Sequence, residues 1–561
     1  MKSKWWTRTS RSEQQSPSTE VTDFRAHPYV CGAIGRLDEQ LLQRLRDASP
    51  GTLHEARRSA RAVLFASSDL PRWQHGDDSG HYWFPLTDGS DPTSWEDAAG
   101  RRNAAGLQDG PRGTTLHADS LGFQDLYTRH IDEALYFSVR IDPLLRLTEA
   151  KLHTDWTAWA SIAGLNAVTS DATPFLEIRR TTAAAAWMAD DHGIHRTGFE
   201  PSWLSAEPDG SMTPAEAIAL VDQQVPDTER LSVCLSGGFD SRLMAILGGR
   251  HSEQVLTWTT SGDDGRDLDL DLATAVTETL GHEHHTLVPG QDAWLDELPT
   301  VRRRFDFQTT YHNWFMPLAR ALHERHEPVL DALAGETLFR AGSFVREQPA
   351  GDEDNALWNR ISQNRLKDQT RWAPGVAADL EKRSRESFAE VASRFDGHPA
   401  AQTLGTLHTR VARATATCSL RLVAPESQVF VPFVHPDVID AALRVPVADK
   451  LEGAFYREML LQADSQVAQL PSTNDDGPKA KRGPRRQTSK KSLQGLARMI
   501  AGDDSVVRLL GPDQRQALDD IDLLQRIGST WNGHRQLNWA SLLAEWRATY
   551  ADVLADDDGP T

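Results

Sequence analysis

Cysteine is scarce in this sequence and follows no pairing pattern. The 561 residues include three cysteines, Cys31, Cys234 and Cys418, which are far apart and form no CxxC pair. An odd number at such spacing argues against a disulfide framework and against a cysteine zinc site. Free thiols are typical of a reducing compartment, so we expect the protein to be cytoplasmic.

Long apolar runs and an excess of positive charge are also missing. No stretch approaches the ~20 apolar residues of a membrane-spanning helix, and the start, MKSKWWTRTSRSEQQSPS, lacks the apolar core of a signal peptide. The formal net charge is -20, from 60 basic and 80 acidic residues. Such a charge would repel nucleic acid and anionic membranes, so neither is expected as a partner.

The composition that remains is that of a globular protein, with 39% hydrophobic and 25% charged residues. The length allows two or three cores. Residues 1–20 are polar and are predicted to be disordered. Residues 21–205 contain short β-like runs, RAVLFAS, HYWFPL and ALYFSVRI, between Gly, Asp and Pro turns, which is typical of an antiparallel α+β domain.

Residues 206–470 instead alternate strand and helix patterns. LSVCL precedes SRLMAILGG, VLTWTT precedes LDLATAVTETLG, and PVLDALAG follows WFMPLARALHERH. This alternation predicts an α/β domain with a parallel sheet covered by helices. Residues 471–493 are rich in Pro, Gly and Ser and carry seven Lys or Arg, so a flexible basic loop is predicted there, followed by a helical segment at 494–561.

The stretch VCLSGGFDSRLMAIL, residues 233–247, predicts a strand, a tight glycine turn and the start of a helix. Backbone N–H groups at a helix start favour an anion, and glycines let it approach closely, so the loop suits a phosphate chain. Asp240 would repel bare phosphate unless a hard cation such as Mg²⁺ lies between them. The predicted nucleotide-binding residues of this loop are Leu235, Ser236, Gly237, Gly238, Phe239, Asp240 and Ser241.

Two other interpretations of the loop are possible. A Walker loop needs GxxxxGK followed by Ser or Thr, which the sequence does not contain. A plain turn, in which Asp240 or Ser241 only caps the helix, stays open. Farther along, Trp258 and Thr259 are predicted to line the adenine pocket, with plain sheet core as the alternative for Trp258. The HEHH run at 282–285 is predicted to be a solvated loop rather than a metal site.

The loop LSGGFDSR resembles the SGGxDS pyrophosphate loop of the ATP-pyrophosphatase group, and the chain around it resembles the asparagine-synthetase-like branch of that group. Three later stretches are similar to patterns of this branch in the same order: DLDLATAVTETLGHEHH, LDALAGETLFRAG, and VFVPFVHPDVIDAALRVPVADK followed by YREMLLQADSQVAQLP. Glu336 stands at the position of the magnesium-binding aspartate and Arg457 at that of the active-site lysine. The resemblance covers about residues 210–475.

This resemblance implies a parallel-sheet ATP-pyrophosphatase fold that uses ATP and Mg²⁺. It implies Asp240 and Glu336 as metal ligands, and Asp240, Glu336 and Arg457 as catalytic residues. Glutamine-dependent members carry a cysteine directly after the initiating Met, whereas this sequence has Lys2, so a degenerate glutamine amidotransferase-like domain is expected at residues 21–205. LHADSLGFQDLYTRHIDEALYFSVRI, residues 116–141, resembles the end of such a domain.

A further departure concerns proton transfer. Three residues before the magnesium carboxylate, asparagine synthetases have a glutamate and β-lactam synthetases a tyrosine, but this chain has Leu333, which cannot accept a proton. A degenerate amidotransferase-like domain combined with an intramolecular amide product is found in lasso peptide cyclases. LPSTND at 470–475 and LLAEW near the C terminus resemble their C-terminal region.

That resemblance implies ATP-dependent macrolactam formation in a ribosomal precursor peptide. An Asp or Glu side chain is adenylated, the N-terminal amine attacks it, and AMP and pyrophosphate are released. The expected partners are the precursor peptide, a leader peptidase and a leader-binding protein. Two alternatives stay open: an amide ligase of β-lactam synthetase type acting on a small substrate, and a non-catalytic relative that binds nucleotide or peptide.

Overall fold

A computed structural model describes residues 28–70, 72–74, 79–85, 104–263, 268–340, 353–474, 485–556 and 559. The N-terminal segment predicted to be disordered, residues 1–20, lies outside this part of the chain. No helix in the described residues is both long enough and apolar enough to cross a membrane.

The first part of the chain forms two six-stranded antiparallel sheets. Its strands are β1 Val30–Gly35, β2 His54–Arg58, β3 Ala62–Ala66, β4 Arg72–Gln74, β5 Gly80–Pro85, β6 Ala104–Gly110, β7 Gly113–His117, β8 Tyr127–Ile131, β9 Ala134–Ser138, β10 Ile178–Arg180, β11 Ala185–Asp190 and β12 Gly193–Gly198. The strand orders are β10-β8-β9-β1-β3-β2 and β12-β11-β7-β6-β5-β4. In the described residues three helices accompany them: α1 Glu39–Asp47, α2 Asp142–Leu145 and α3 Trp156–Leu165. The predicted antiparallel α+β region is confirmed.

The two antiparallel sheets share a core. Every residue of β3 and β9 is buried, so both faces of the first sheet are covered by other parts of the protein at these strands. Phe84 of β5 stacks on Phe137 of β9, with ring centroids 6.2 Å apart. This contact joins one sheet to the other.

The second part is built on a five-stranded sheet in which every neighbouring pair is parallel. Its strands are β13 Thr228–Cys234, β14 Ser252–Thr260, β15 Glu283–Leu287, β16 Val329–Leu330 and β17 Val429–Phe430, in the order β15-β14-β13-β16-β17. The helices between and beside them are α4 Pro214–Asp222, α5 Phe239–His251, α6 Leu268–Leu280, α7 Ala293–Arg304, α8 Met316–His323 and α9 Gly335–Phe339. The predicted α/β domain with a parallel sheet is confirmed.

The strand order creates a switch point between β13 and β16. The chain runs outward from β13 to β15 on one side and then returns to β16 and β17 on the other. In parallel sheets a crevice opens at such a point, beyond the carboxyl ends of the strands. The turn after β13 is the predicted phosphate loop, and the turn after β16 carries Glu336. Sheet topology therefore brings these two distant segments together.

The remaining chain is helical. Its helices are α10 Glu353–Ser362, α11 Val376–Ala392, α12 Ala401–Thr406, α13 Pro436–Arg444, α14 Val447–Lys450, α15 Ala454–Ala463, α16 Ser465–Ala468, α17 Lys490–Ala501, α18 Asp504–Leu509, α19 Pro512–Ala517, α20 Ile521–Gly528 and α21 Trp531–Thr549. Helix α12 continues into two π-helical segments, Leu407–Thr415 and Cys418–Val423.

The last helices belong to the core of the antiparallel sheets rather than to a core of their own. Trp546 of α21 packs against Trp159 of α3, with ring centroids 5.2 Å apart. The indole N–H of Trp539 donates to the Trp159 carbonyl at 2.9 Å. Packing is therefore continuous between the first part of the chain and the C-terminal segment, while the boundaries at 205, 470 and 494 stay predictions.

The prediction of a solvated loop at the HEHH run is wrong. Residues Glu283–Leu287 form β15, an edge strand paired with β14. His284 Nδ1 lies 2.8 Å from the Thr257 hydroxyl, so the histidine is part of the sheet. A half-exposed edge strand needs no run of apolar residues, which is why its sequence lacks the usual pattern. Among the described residues, no group of three or more His, Cys, Asp or Glu is placed to hold a metal ion.

The predicted flexible basic loop, residues 471–493, is too wide. Residues 475–484 lie outside the described chain. On the far side, Arg486 is buried and donates to the Asp263 carboxylate at 3.1 Å and to the Ser261 carbonyl at 2.6 Å. Helix α17 already begins at Lys490. The C-terminal flank of the loop is thus fixed to the turn after β14.

A buried ionic network joins the antiparallel part to the parallel-sheet part. The Tyr127 hydroxyl donates to Asp306 Oδ2 at 2.9 Å and accepts from Arg421 Nη2 at 2.7 Å. Arg421 also pairs with Asp125, and Arg180 pairs with the same carboxylate at 2.8 Å. Burial raises the pKa of Asp306 to about 6 in spite of the nearby arginines. Arg421 therefore compensates two buried acids at once.

We expect Arg421→Met to lower the free energy of unfolding by about 3 kcal/mol, because Asp125 and Asp306 each lose one of two cations and keep only Arg180 and Arg140. Urea unfolding at neutral pH measures the loss. The matched control is Arg146→Met, since Arg146 pairs with Asp552 at 2.6 Å on the surface and its removal should cost about 0–1 kcal/mol. Equal losses for the two variants would contradict the structural importance of the network.

Candidate active site

The predicted phosphate loop is a tight turn between β13 and α5. The Ser236 N–H donates to the Ser241 hydroxyl at 2.9 Å, and the two serine hydroxyls are 3.0 Å apart. A Cβ at Gly237 would lie 2.7 Å from Leu272 and 2.9 Å from Thr473, so no larger residue fits there without a shift. The side chains of Leu272 and Thr473 therefore favour glycine at position 237, as the approach of an anion would.

The amides of this loop already donate to oxygen atoms. The Gly237 N–H donates to Asp269 Oδ1 at 2.7 Å, and the Phe239 N–H donates to Asn474 Oδ1 at 2.9 Å. The Gly238 N–H donates to the Ser236 hydroxyl at 3.3 Å. Such donors at the N-terminus of α5 suit oxyanions. A phosphate oxygen on the Phe239 amide would replace the Asn474 side chain.

Asp240 and Glu336 meet at the switch point. The Glu336 N–H donates to Asp240 Oδ2 at 2.6 Å. Burial, together with the nearby Glu336 charge, raises the pKa of Asp240 to about 7, although Asp240 lies in the first turn of a helix, whose dipole favours the ionised form. The Glu336 carboxylate is half exposed and pairs with Arg340 at 2.9 Å. The buried acid and the exposed acid thus lie side by side.

This pair of acids fits a magnesium ion. Mg²⁺ typically takes one or two carboxylates and completes its shell with water and substrate phosphates. Burial and the Glu336 charge raise the pKa of Asp240, and a divalent cation beside it would favour its ionised form. Asp240 and Glu336 provide two carboxylates at the site, and this is the number of protein ligands that Mg²⁺ commonly has.

A cavity of about 370 Å³ opens in front of the loop and the acids. Seven of the sequence-predicted residues line it: Leu235, Ser236, Asp240, Ser241, Trp258, Thr259 and Glu336. Leu333 lines it too and presents only an apolar side chain. Gly237, Gly238 and Phe239 form the turn behind these residues and are not among the described residues on the cavity wall.

Arg457 is placed differently from the acids. It is exposed on α15 and is not one of the cavity-lining residues of the described chain. Its guanidinium lies 4.9 Å from the centroid of the Phe239 ring. The guanidinium of Arg340 lies 5.9 Å from the same centroid. The structure therefore puts Arg457 beside the phosphate loop, on Phe239, and its catalytic role stays a prediction.

Sequence reasoning missed the residues that hold the segment 467–474 against the loop. Arg242 is fully buried and donates to the carbonyls of Gly237 at 3.1 Å and Leu470 at 2.9 Å. The Thr473 N–H donates to the Gly237 carbonyl at 3.1 Å. An arginine directly after SGGFDS, on the buried face of α5, is the signal that could have indicated a structural anchor.

Two further groups on the cavity wall were not predicted as site residues. Asp331, directly after β16, is partly buried, and this desolvation raises the pKa of its carboxyl. Cys234 and Cys418 also line the cavity, and burial followed by the Asp331 charge raises the pKa of both thiols. These thiols stay protonated, so they contribute bulk and weak polarity rather than a nucleophile.

The raised pKa of Asp240 predicts a stability effect. The folded state binds this proton more tightly than the unfolded chain, whose aspartate has a pKa of about 3.9, so the ionised group lowers stability as the pH rises from about 4 to 7. Without Mg²⁺, we expect Asp240→Asn to raise the free energy of unfolding by roughly 2–4 kcal/mol at about pH 8 and by little at about pH 4. Urea unfolding at both pH values measures this.

The exposed Asp519 provides the matched control, and Asp519→Asn should leave stability nearly unchanged at both pH values. A pH-independent difference between wild type and Asp240→Asn would contradict a buried, titrating carboxyl at this position.

The comparisons with known proteins agree with this geometry. A sequence model of the asparagine synthase family matches residues 219–508, more than half of the chain. Similar curated proteins include two from Mycobacterium tuberculosis and one from Mycobacterium bovis, each called "Putative asparagine synthetase" with the qualifier glutamine-hydrolyzing. Each is 29% identical over 139 residues, which is 24% of this chain and 21% of the relative. The chain thus spans about a fifth of the length of these relatives. On the family match, the chain belongs to the asparagine synthase family.

Proposed function

We propose that this protein is an ATP-dependent amide ligase that closes a macrolactam ring in a ribosomal lasso precursor peptide. In this reaction an Asp or Glu side chain of the peptide is adenylated with release of pyrophosphate, and the N-terminal amine of the same peptide displaces AMP. The observation that carries the proposal is the meeting of Asp240 and Glu336 with the phosphate loop at one cavity.

The residues of the cavity fit the charge changes of adenylation. Mg²⁺ held by Asp240 and Glu336 would neutralise the negative charge that grows as pyrophosphate leaves. The amides at the start of α5 and the hydroxyls of Ser236 and Ser241 offer further donors on the same side. The fold fixes the position of these groups, and a bound oxyanion would replace their present acceptors, as at the Phe239 amide.

The source of the nitrogen separates ring closure from asparagine synthesis. Release of ammonia from glutamine requires a reactive thiolate. In the antiparallel part of the chain the available cysteine is Cys31, which lies in β1 with no exposed surface, and burial raises the pKa of its thiol to about 12. An inert thiol supports a reaction in which the amine belongs to the substrate.

Leu333 supports an N-terminal amine as that nucleophile. A free α-amino group has a pKa of about 7.7–8.0, so roughly a fifth to a third of it is already neutral at about pH 7.4. Such an amine needs little help from a base, and a leucine on the cavity wall does not prevent its attack. Holding the amine against the activated carbonyl is then the main requirement.

The size of the cavity favours a substrate that enters with one side chain. Pockets that enclose a whole small ligand have volumes of about 300–1,000 Å³, and the present cavity, at about 370 Å³, lies near the lower end. A nucleotide fills most of such a space, which leaves the body of a peptide outside.

A leader peptidase and a leader-binding protein are part of this proposal, because the attacking amine must first be freed.

Mass spectrometry of the precursor peptide tests the proposal. The peptide is incubated with the protein, ATP, Mg²⁺ and the leader-removing partner, and AMP is assayed in parallel. We expect the core peptide to lose one water, in step with AMP release. Asp240→Asn should abolish both products, whereas Asp519→Asn, the surface control, should retain both.

Different failures have different meanings. An unchanged peptide with no AMP would overturn the ligase proposal and favour a nucleotide- or peptide-binding role. AMP release with a small carboxylate and amine, but no change in any precursor peptide, would keep the amide ligase and reject the peptide substrate.

A further inference from the structure

Three arginines converge on one tyrosine beside the cavity. We define the arginine cluster as Arg365, Arg410 and Arg535, which come from the turn after α10, the π-helical segment after α12, and α21. Arg410 Nη1 donates to the Tyr311 hydroxyl at 2.9 Å, and the guanidinium lies 5.4 Å from the centroid of the tyrosine ring. Arg365 and Arg535 both donate to the Gln363 side-chain oxygen, each at 3.4 Å.

Two members of the cluster, Arg365 and Arg535, have no acidic partner among the described residues, unlike other arginines inside the protein. Arg302 pairs with Glu545 at 2.6 Å, but among the described residues no carboxylate pairs with Arg365 or Arg535. Arg365 is 5% exposed, and its Nε is buried with no hydrogen-bond partner in the described chain. A buried cationic donor without an acceptor is costly, so an oxyanion at this position would be stabilising.

The ionisation of the cluster reflects the same excess of positive charge. Burial would raise the pKa of Tyr311, but Arg410, Arg365 and Arg535 lower it to about 7. Burial and repulsion within the cluster lower the pKa of Arg365 to about 10 and that of Arg535 to about 9. His312, the next residue, is also held neutral by burial and by Arg410, which lower its pKa to about 3.

One member of the cluster, Arg410, reaches the wall of the active-site cavity, and Arg365 and Arg535 lie beside it around Tyr311 rather than among the described lining residues. Arg410, His312 and Thr406 line the same cavity as Ser236 and Asp240. A molecule in this cavity therefore meets the phosphate loop on one part of the wall and a guanidinium on another. Planar guanidinium groups bind carboxylates with two parallel hydrogen bonds, which fixes orientation as well as position.

We propose that the arginine cluster binds a carboxylate of the peptide substrate, one that is not itself activated, and so positions the peptide at the cavity. The oxyanion site stands on the contacts of the cluster, and only its assignment to the peptide rests on the proposed function. A carboxylate is favoured over a phosphate because the phosphate loop and the acid pair already provide for the nucleotide. The carboxylate replaces the missing acidic partner of Arg365 and Arg535.

The ionisation of Tyr311 reports on occupancy without any turnover. Ultraviolet absorbance of tyrosinate is recorded against pH for the wild type and for Tyr311→Phe, and the difference isolates Tyr311. The probe is glutarate, with inorganic phosphate and ATP in separate arms at constant ionic strength. Because a bound anion offsets the arginines, glutarate should raise the pKa of Tyr311 by about one unit or more.

Two other results overturn the proposal, and a third separates it from the proposed function. No shift with glutarate means that the cluster does not bind a carboxylate. A shift with phosphate or ATP but not with glutarate assigns the cluster to phosphate groups or to the nucleotide. If glutarate shifts the titration but no peptide is cyclised, the oxyanion site stands while the proposed function fails.

Variants separate binding from a structural role. Arg535→Gln should weaken glutarate binding at least about tenfold, since a charge-assisted hydrogen bond to a buried anion is lost, and Arg535→Lys should restore part of it. The matched control is Arg547→Gln on the same helix, because Arg547 pairs with Asp503 at 2.8 Å. In turnover, Arg535→Gln should raise KM for the peptide and leave KM for ATP unchanged. Equal effects on both KM values would contradict the proposal.

Discussion

The close approach of the Gly335 backbone to the side chains of Asp240, Phe433 and Tyr456 is the constraint on which the rest of the site depends. Without a side chain there, the Glu336 N–H reaches the Asp240 carboxylate at 2.6 Å. A Cβ would lie 2.8 Å from atoms of Asp240, Phe433 and Tyr456, all in well-packed positions. The contact joins the turn after β13 to the turn after β16, on the two sides of the switch point. Because each turn carries one acid, the meeting of the acids is a consequence of sheet topology.

The helical segment from Ala401 to Val423 connects this site to the antiparallel sheets. Arg410 lies on the cavity wall, Ser419 is hydrogen-bonded to Asp331 at the end of β16, and Arg421 enters the ionic network around Tyr127. Its π-helical hydrogen bonds change which side chains share a face, a feature often found at functional sites. The antiparallel part therefore supports the cavity wall from behind, which gives it a structural task even though Cys31 is inert.

Local sequence was enough to predict the strand, the glycine turn and the helix start that carry Asp240, because these are neighbours in the chain. The fold class followed from periodicity for the same reason. The contact of Asn474 with the Phe239 amide and the convergence of Arg365, Arg410 and Arg535 join residues far apart in sequence, and no local pattern marks them. β15 was missed because edge strands are half exposed, so its histidines carry no apolar alternation.

The cavity contains two opposite electrostatic imbalances that do not neutralise each other. Near the phosphate loop a buried acid is left without a cation, and its pKa of about 7 shows that it tends to keep a proton. At the arginine cluster a tyrosine is left among cations, and its pKa of about 7 shows that it tends to lose one. Both pKa shifts reduce the local charge. In the free protein, Asp240 compensates its own charge by keeping a proton, and Tyr311 compensates the arginines by losing one. A bound cation at Asp240 and an oxyanion at Arg365 would remove both imbalances without proton transfer. Each of these groups therefore favours a ligand of the opposite charge, a cation at Asp240 and an oxyanion at the arginine cluster.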